Sequence, residues 1–297
     1  MPEARPVIDR LCVIGVGLIG GSLALALREA GVCREVVGCD RDPDHLARAK
    51  ELGIIDRGET RADLAVKGAD VILLAVPLMA MRPVMAEIAP VIENTGALVT
   101  DVGSAKGSVV ADARAVLGPA VARFVPGHPI AGRECSGPEA AFPELFRGRR
   151  VLLTPLEDNS PEAVNRVEAM WQAAGAEVER MSVSHHDHVL AATSHLPHML
   201  AFGLVDCLAA MEEKREIFRY AAGGFADFTR IASSDPEMWR DICLANRDEI
   251  LWMVEAFNAE LADIARLIRE GEGEALLETF GRAKGARDQF CRKNGID

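Results

Sequence analysis

The chain has 297 residues, enough for two domains each with its own core, and 49% hydrophobic and 26% charged residues give it an ordinary globular composition. A formal charge of −12 argues against nucleic acid or an anionic membrane surface as a partner, and means that a small anionic substrate would need local cations. The seven cysteines are scattered with no C-x-x-C pair, there is no signal peptide, and no apolar run is long enough to span a bilayer, so a soluble, cytoplasmic chain with reduced thiols is expected.

Leu11, Cys12, Val13 and Ile14 read as a short buried strand, followed by Gly15, Gly17 and Gly20 in the G-x-G-x-x-G spacing and a helix over 21–27. In that pattern the first glycine permits a tight turn. The second lets backbone approach a pyrophosphate, and the third lets helix and strand pack closely. The helix N-terminus then offers unpaired N–H groups to phosphate, and Leu18 and Ile19, within the glycine motif, are candidates to line the same site. A second strand, 35–39, ends at Asp40, where an acidic residue is placed to hold the adenosine ribose hydroxyls. Asp40 therefore points to NAD. The adjacent Arg41 keeps NADP open, because it could pair with a 2′-phosphate or simply be a solvated loop cation.

Helices are expected over 43–52, 81–92 and 109–117, with strands over 69–76 and 97–102. Ala75, Val76 and Pro77 close one strand and Gly103 and Ser104 the next, at the carboxyl ends where an open α/β sheet presents ligands. The alternation predicts a doubly wound parallel sheet, and 149–154, 161–174 and 177–181 read as extending it. From 182 onward the pattern becomes helical, over 189–207, 215–220, 236–268 and 274–292. Ile250, Leu251, Val254, Phe257, Leu261 and Ile264 form an apolar stripe that predicts a dimer built from this half. The expected domains are thus 7–181 for the dinucleotide and 182–297 for substrate and dimerisation.

Four segments carry candidate chemistry. Ser104 and Lys106 follow a strand, His128 lies in a Gly/Pro-rich turn, His195 and His198 flank Pro197 in an apolar helical run, and Arg230 lies in a Gly- and Phe-rich neighbourhood. The turn around His128 is poor at burying apolar area and good at displaying a polar group. His195 and His198 have a spacing compatible with a metal, but no nearby ligand completes a set. The run His185-His186-Asp187-His188 reads as the exposed start of a helix capped by Ser184, so no metal is expected there either. Arg230 suits a carboxylate fork.

G-V-G-L-I-G-G-S, D-V-G-S-A-K, G-H-P-I-A-G, S-H-L-P-H and D-F-T-R-I-A-S-S-D-P-x-M-W occur in this order, and with them the chain resembles the prephenate/arogenate (cyclohexadienyl) dehydrogenase family of tyrosine biosynthesis. The resemblance runs from about residue 11 to about residue 292. It implies a Rossmann-type domain followed by an all-helical dimerisation domain, and oxidative decarboxylation of prephenate or arogenate with NAD or NADP. By the same resemblance His128 matches the catalytic histidine, Ser104 the serine beside it, and Arg230 the arginine that binds a substrate carboxylate. His195, His198, Glu134 and Trp239 match residues that line the pocket. Ala226 stands where some relatives carry a basic residue, which leaves recognition of the substrate side chain open. With no regulatory module expected after Asp297 and no mutase domain before Leu11, feedback by tyrosine would act at the catalytic pocket. Two other readings remain at this stage. One is a two-domain reductase acting on a β-hydroxy acid or an imine, and the other a non-enzymatic NAD(H) sensor.

Overall fold

The computed structural model describes residues 8–133 and 135–295. Among the described residues up to 180, nine strands alternate for the most part with helices. In chain order these are β1 (Ile8–Ile14), α1 (Leu18–Glu29), β2 (Cys33–Cys39), α2 (Pro43–Glu51), β3 (Arg57–Glu59), α3 (Ala62–Ala65), β4 (Val71–Leu74) and α4 (Leu78–Ile92). They continue with β5 (Leu98–Asp101), α5 (Lys106–Val116), β6 (Phe124–Val125), β7 (Gly127–Pro129), β8 (Arg150–Leu153), α6 (Pro161–Ala173) and β9 (Glu177–Arg180).

The first six strands are all parallel, in the order β3-β2-β1-β4-β5-β6. β1 and β4, the middle pair, are where the winding direction reverses, the crevice at which such sheets bind ligands. Leu11–Ile14, Val71–Leu74 and Leu98–Asp101 are buried throughout, as strands covered on both faces must be. Helix starts follow local chemistry. Asp42 caps α2 by accepting from the Asp44 N–H, and Ser160 caps α6 by accepting from the Ala163 N–H, each with proline as the next residue.

The expectation that 149–181 extends this sheet is corrected. β8 and β9 instead form a separate three-stranded sheet with β7, antiparallel across β7–β8 and parallel across β8–β9. His128 therefore sits in a strand, paired with Leu152, rather than in a turn, and it is buried rather than displayed. Trp171 on α6 and Phe146 meet edge to face, 5.2 Å apart, in the core that α6 shares with α1.

After β9 every element is helical. α7 (Val183–Leu190) runs into a π-helical turn, Ala191–His195, and then α8 (Leu196–Ala209), so the expected single helix over 189–207 is interrupted before Pro197, not at it. α9 (Lys214–Arg219), α10 (Gly223–Thr229), a 3₁₀ turn (Arg230–Ser233) and α11 (Pro236–Ala245) follow. Asn246 then breaks the helix expected over 236–268, separating α11 from α12 (Arg247–Glu270).

The described chain divides into two compact units after Arg247. The second consists of most of α12 and all of α13 (Gly273–Asn294). Of the predicted apolar stripe, Ile250 is buried, Val254, Phe257 and Ile264 are half-buried, and Leu251 and Leu261 are exposed. Ile268, Leu277 and Phe280 are exposed as well, at 63%, 66% and 54%. Among the described residues no helix is long and apolar enough to cross a membrane.

Candidate active site

The loops at the carboxyl ends of β1, β2, β4 and β5 bring the expected nucleotide-binding residues to one edge of the sheet. Gly15 adopts φ +96°, and a Cβ there would lie 2.2 Å from the Ala75 carbonyl oxygen, so only glycine allows the β1 and β4 loops to meet. At Gly20 a Cβ would lie 2.2 Å from the Gly15 carbonyl oxygen, which fixes α1 tightly under the turn. Gly17 is different, since nothing lies within 4 Å of a Cβ placed there. It is the extended N-cap of α1 and caps it with no side chain, so the N–H groups of the first turn, at Leu18, Ile19 and Gly20, are left for an anion.

Asp40 follows β2 and its carboxylate accepts from the Val16 and Asp42 N–H groups, at 3.4 and 3.0 Å, which ties it to the glycine loop. Arg41 beside it is exposed, and Pro77 is the N-cap of α4. An open cradle at Gly17, uncapped N–H groups and a carboxylate at the end of β2 together fit a dinucleotide.

Next to this edge lies a buried ion pair. Lys106 Nζ donates to Asp101 Oδ2 at 2.5 Å and to the Gly127 carbonyl at 2.7 Å, with both side chains fully buried. Asp101 also accepts from the Gly103 N–H (2.8 Å) and the Gly127 N–H (3.1 Å). Both polar groups of Gly127 are thus gripped, and the side chain after it is His128. Burial pulls the Lys106 ammonium below the ordinary lysine range, against the opposing pull of Asp101.

His128 Nδ1 lies 2.9 Å from His186 Nε2, and His186 Nδ1 lies 2.8 Å from Asp187 Oδ1. This corrects the reading of 185–188 as surface, because His186 is fully buried and Asp187 nearly so. The cap of α7 is Ser182, which accepts from the His185 N–H, and not Ser184. His186 and Leu190, four residues apart, share the buried face of α7. The Asp187 carboxylate also accepts from the Lys106 and Gly107 N–H groups, each at 2.7 Å, at the start of α5. Burial works against its charge, but these donors and His186 outweigh it and hold the carboxyl below its usual range. Burial first, with the neighbouring His186, Lys106 and His195 side chains acting in the same direction, pushes His128 well below the ordinary histidine value, so the ring is neutral.

Asn246 was not expected. Its side-chain amide donates to the Asp187 carbonyl (2.9 Å) and to His195 Nδ1 (3.1 Å), which connects the His128 cluster to the helical half. His195 is buried, and that burial lowers its pKa to about 4. Trp239 is buried, stacks on His198 with ring centroids 3.7 Å apart, and meets His195 edge-on at 6.1 Å. His198 Nδ1 donates to the Ser194 carbonyl, and its pKa is lowered by burial and by the charge of Arg230. His128, His195, His198, Trp239 and Arg230 are therefore assembled into one neighbourhood from β7, the π-helical turn, α8, α11 and the 3₁₀ turn.

Ser104 lies half-buried in the loop between Asp101 and Lys106, and its hydroxyl makes no hydrogen bond among the described residues. The partner of His128 Nδ1 is His186 instead. Glu134 lies outside the described residues. Among the described residues no three His, Cys, Asp or Glu side chains are grouped to share a metal ion.

Comparison with known proteins matches two family models in succession. Residues 23–180 match the prephenate dehydrogenase nucleotide-binding domain, and residues 182–282 the prephenate dehydrogenase dimerization domain. The chain is 38% identical to cyclohexadienyl dehydrogenase of Zymomonas mobilis, covering 95% of this chain and 96% of that one. It is 37% identical to prephenate dehydrogenase of Bacillus subtilis, covering 94% of this chain and 76% of the relative. The crystal structure of prephenate dehydrogenase from A. aeolicus with hydroxyphenyl propionate and NAD+ superposes with a TM-score of 0.90 at 38% identity, covering 97% of this chain and all of that one.

Proposed function

This chain belongs to the prephenate dehydrogenase family, and on that premise we propose that neutral His128 is the base of an oxidative decarboxylation carried out beside the glycine loop. The reaction is the NAD(P)-dependent conversion of prephenate to 4-hydroxyphenylpyruvate, or of arogenate to tyrosine. Bound NAD supplies the hydride acceptor. Gly15, Gly17, Leu18, Ile19 and Gly20 hold its phosphates and Asp40 its ribose, with Arg41, Ala75, Val76, Pro77 and Gly103 completing the cleft.

The observation that carries this reading is a neutral imidazole, clamped through Gly127, at the carboxyl edge of a sheet built for a dinucleotide. Its lone pair accepts the proton of the ring hydroxyl as the hydroxyl-bearing carbon is oxidised. Ser104, with its hydroxyl uncommitted to any described residue, holds the substrate hydroxyl in register. Arg230 pairs with the ring carboxylate and serves mainly to position it, because a carboxylate held too tightly would not leave as neutral CO2. His198 and Trp239 form a flat wall for the ring, and His195 and Glu134 complete the pocket.

Residues 7–181 form the nucleotide domain of this reading and 182–297 the substrate and dimerisation domain, in a cytoplasmic homodimer. The exposed Leu251, Leu261, Ile268, Leu277 and Phe280 support an interface there.

The test is absorbance at 340 nm with NAD or NADP and either prephenate or arogenate. His128→Asn is expected to lower kcat by about 10²–10⁴ with KM little changed, the range for loss of a general base. Near-normal turnover by that variant would remove His128 from the mechanism.

A further inference from the structure

His186 and Asp187 stand behind His128 in a chain of two short contacts. Asp187 is ionised and can only accept, so the hydrogen in its 2.8 Å contact belongs to His186 Nδ1. When His186 Nε2 is bare, the 2.9 Å contact with His128 takes its hydrogen from His128 Nδ1. In that arrangement His128 Nε2 is the free lone pair. We propose that Asp187 and His186 form a positioning couple that selects this tautomer of His128 and holds, through the reaction, the proton that His128 takes from the substrate. The inference rests on the dehydrogenase reading above.

The proton balance of that reaction gives the couple its task. As hydride leaves the hydroxyl-bearing carbon, the O–H bond breaks and an N–H bond forms at His128 Nε2. The C–C bond to the carboxylate then breaks, and its electron pair aromatises the ring and returns charge to the former carbonyl oxygen. That oxygen takes the proton back from His128 Nε2. No net proton is released, so the site must store one proton between the two steps rather than vent it to solvent.

An imidazolium at His128 alone would be buried close to the Lys106 ammonium, which disfavours it. Transfer of the Nδ1 proton to His186 Nε2 moves the positive charge to the ring that touches the Asp187 carboxylate. Return transfer restores His128 for the second step. The groups facing this chain are Asp101 and Lys106 from the β5–α5 corner, His195 from the π-helical turn and the neutral Asn246 after α11. Asn246 and the Lys106 and Gly107 N–H groups hold Asp187 by its carbonyl and its carboxylate, so the end of the relay cannot turn away. Asp187 and His186 act through His128 and are positioning residues, not catalytic ones.

The experiment uses the full chain with ¹⁵N-labelled histidine, without substrate at neutral pH, to read the protonation of each ring nitrogen. His128 is expected to show a protonated Nδ1 and a bare Nε2. Asp187→Asn is expected to mix the two tautomers of His128 and to lower kcat by about 10²-fold, with KM for prephenate within about threefold of wild type. Because Asp187 also caps α5, His186→Leu provides a second variant. It leaves the carboxylate on the Lys106 and Gly107 N–H groups and should lose a similar factor in kcat. A wild-type His128 protonated on Nε2 overturns the proposal, as does a kcat within about threefold of wild type in both variants. Loss of thermal stability with the His128 tautomer unchanged also overturns it. Absence of any 340 nm signal from wild type with either substrate would instead sink the dehydrogenase reading, while the ring-nitrogen measurement would still test the tautomer.

Discussion

Lys106→Met removes one half of the buried pair that clamps the residue before His128. Lys106 and Asp101 are both fully buried, with Nζ 2.5 Å from the carboxylate and 2.7 Å from the Gly127 carbonyl. Methionine fills most of the volume, so cavity formation contributes little and the cost is electrostatic. The Asp101 carboxylate keeps its two backbone donors, from Gly103 and Gly127, but loses its counter-charge. Breaking a buried pair on one side costs about 3–5 kcal/mol, and the lost hydrogen bond to Gly127 adds about 1 kcal/mol. For a cooperative unit of this size that lowers Tm by on the order of 10 °C. Thermal unfolding followed by circular dichroism reads the shift. The double variant Lys106→Met with Asp101→Asn is expected to recover part of it, because no unpaired charge remains. A Tm within about 2 °C of wild type for Lys106→Met, with no recovery in the double variant, would refute the reasoning; such small shifts are ordinary for surface changes.

The other expectations concern binding and pH. Arg230→Gln should raise KM for prephenate by roughly 10–100-fold with kcat nearly retained, the value of a charge-assisted carboxylate contact, and an unchanged KM in initial-rate assays would remove that role. Gly15→Ala forces a side chain onto φ +96° and into the Ala75 carbonyl, so Tm should fall and NAD binding weaken at least about tenfold. Gly17→Ala meets no protein atom and should weaken NAD binding by calorimetry while leaving Tm unchanged; equal Tm losses in the two variants would contradict this. His195 has its pKa depressed to about 4 in the folded chain against an ordinary value of 6.5, so the unfolded chain binds the proton first. Stability should therefore be complete above pH 6.5 and fall as pH drops towards 4, by about 2 kcal/mol at pH 5. Tm measured between pH 7.5 and 5 checks it, and His195→Gln should flatten the slope.

The nucleotide half of this protein was legible in the sequence because its chemistry is local. Gly15, Gly17 and Gly20, a strand before them and Asp40 at the end of the next strand lie within about thirty residues, and one β-α-β unit brings them together without help from the rest of the chain. His128, Arg230, His195, His198 and Trp239 were legible as candidates because their flanking motifs are distinctive. What they touch was not legible. His128 reads from sequence as displayed in a turn, and only the antiparallel pairing of β7 with β8, a long-range contact, draws it into a strand and buries it.

His186 and Asp187 were misread for a related reason. Ser182 rather than Ser184 caps α7, and only packing against the β5–α5 corner buries the side of α7 that carries His186 and Asp187. Asn246 carries no local signal at all. It sits between two good helical segments, and its worth comes from Asp187, 59 residues earlier, and His195, 51 residues earlier, both of which it bonds. Sequence alone thus determined the parallel nucleotide-binding sheet and the cofactor class, both of which follow from short-range pattern. Tertiary structure alone decided the burial of His128 and its contact with His186, because those neighbours meet only when distant segments pack.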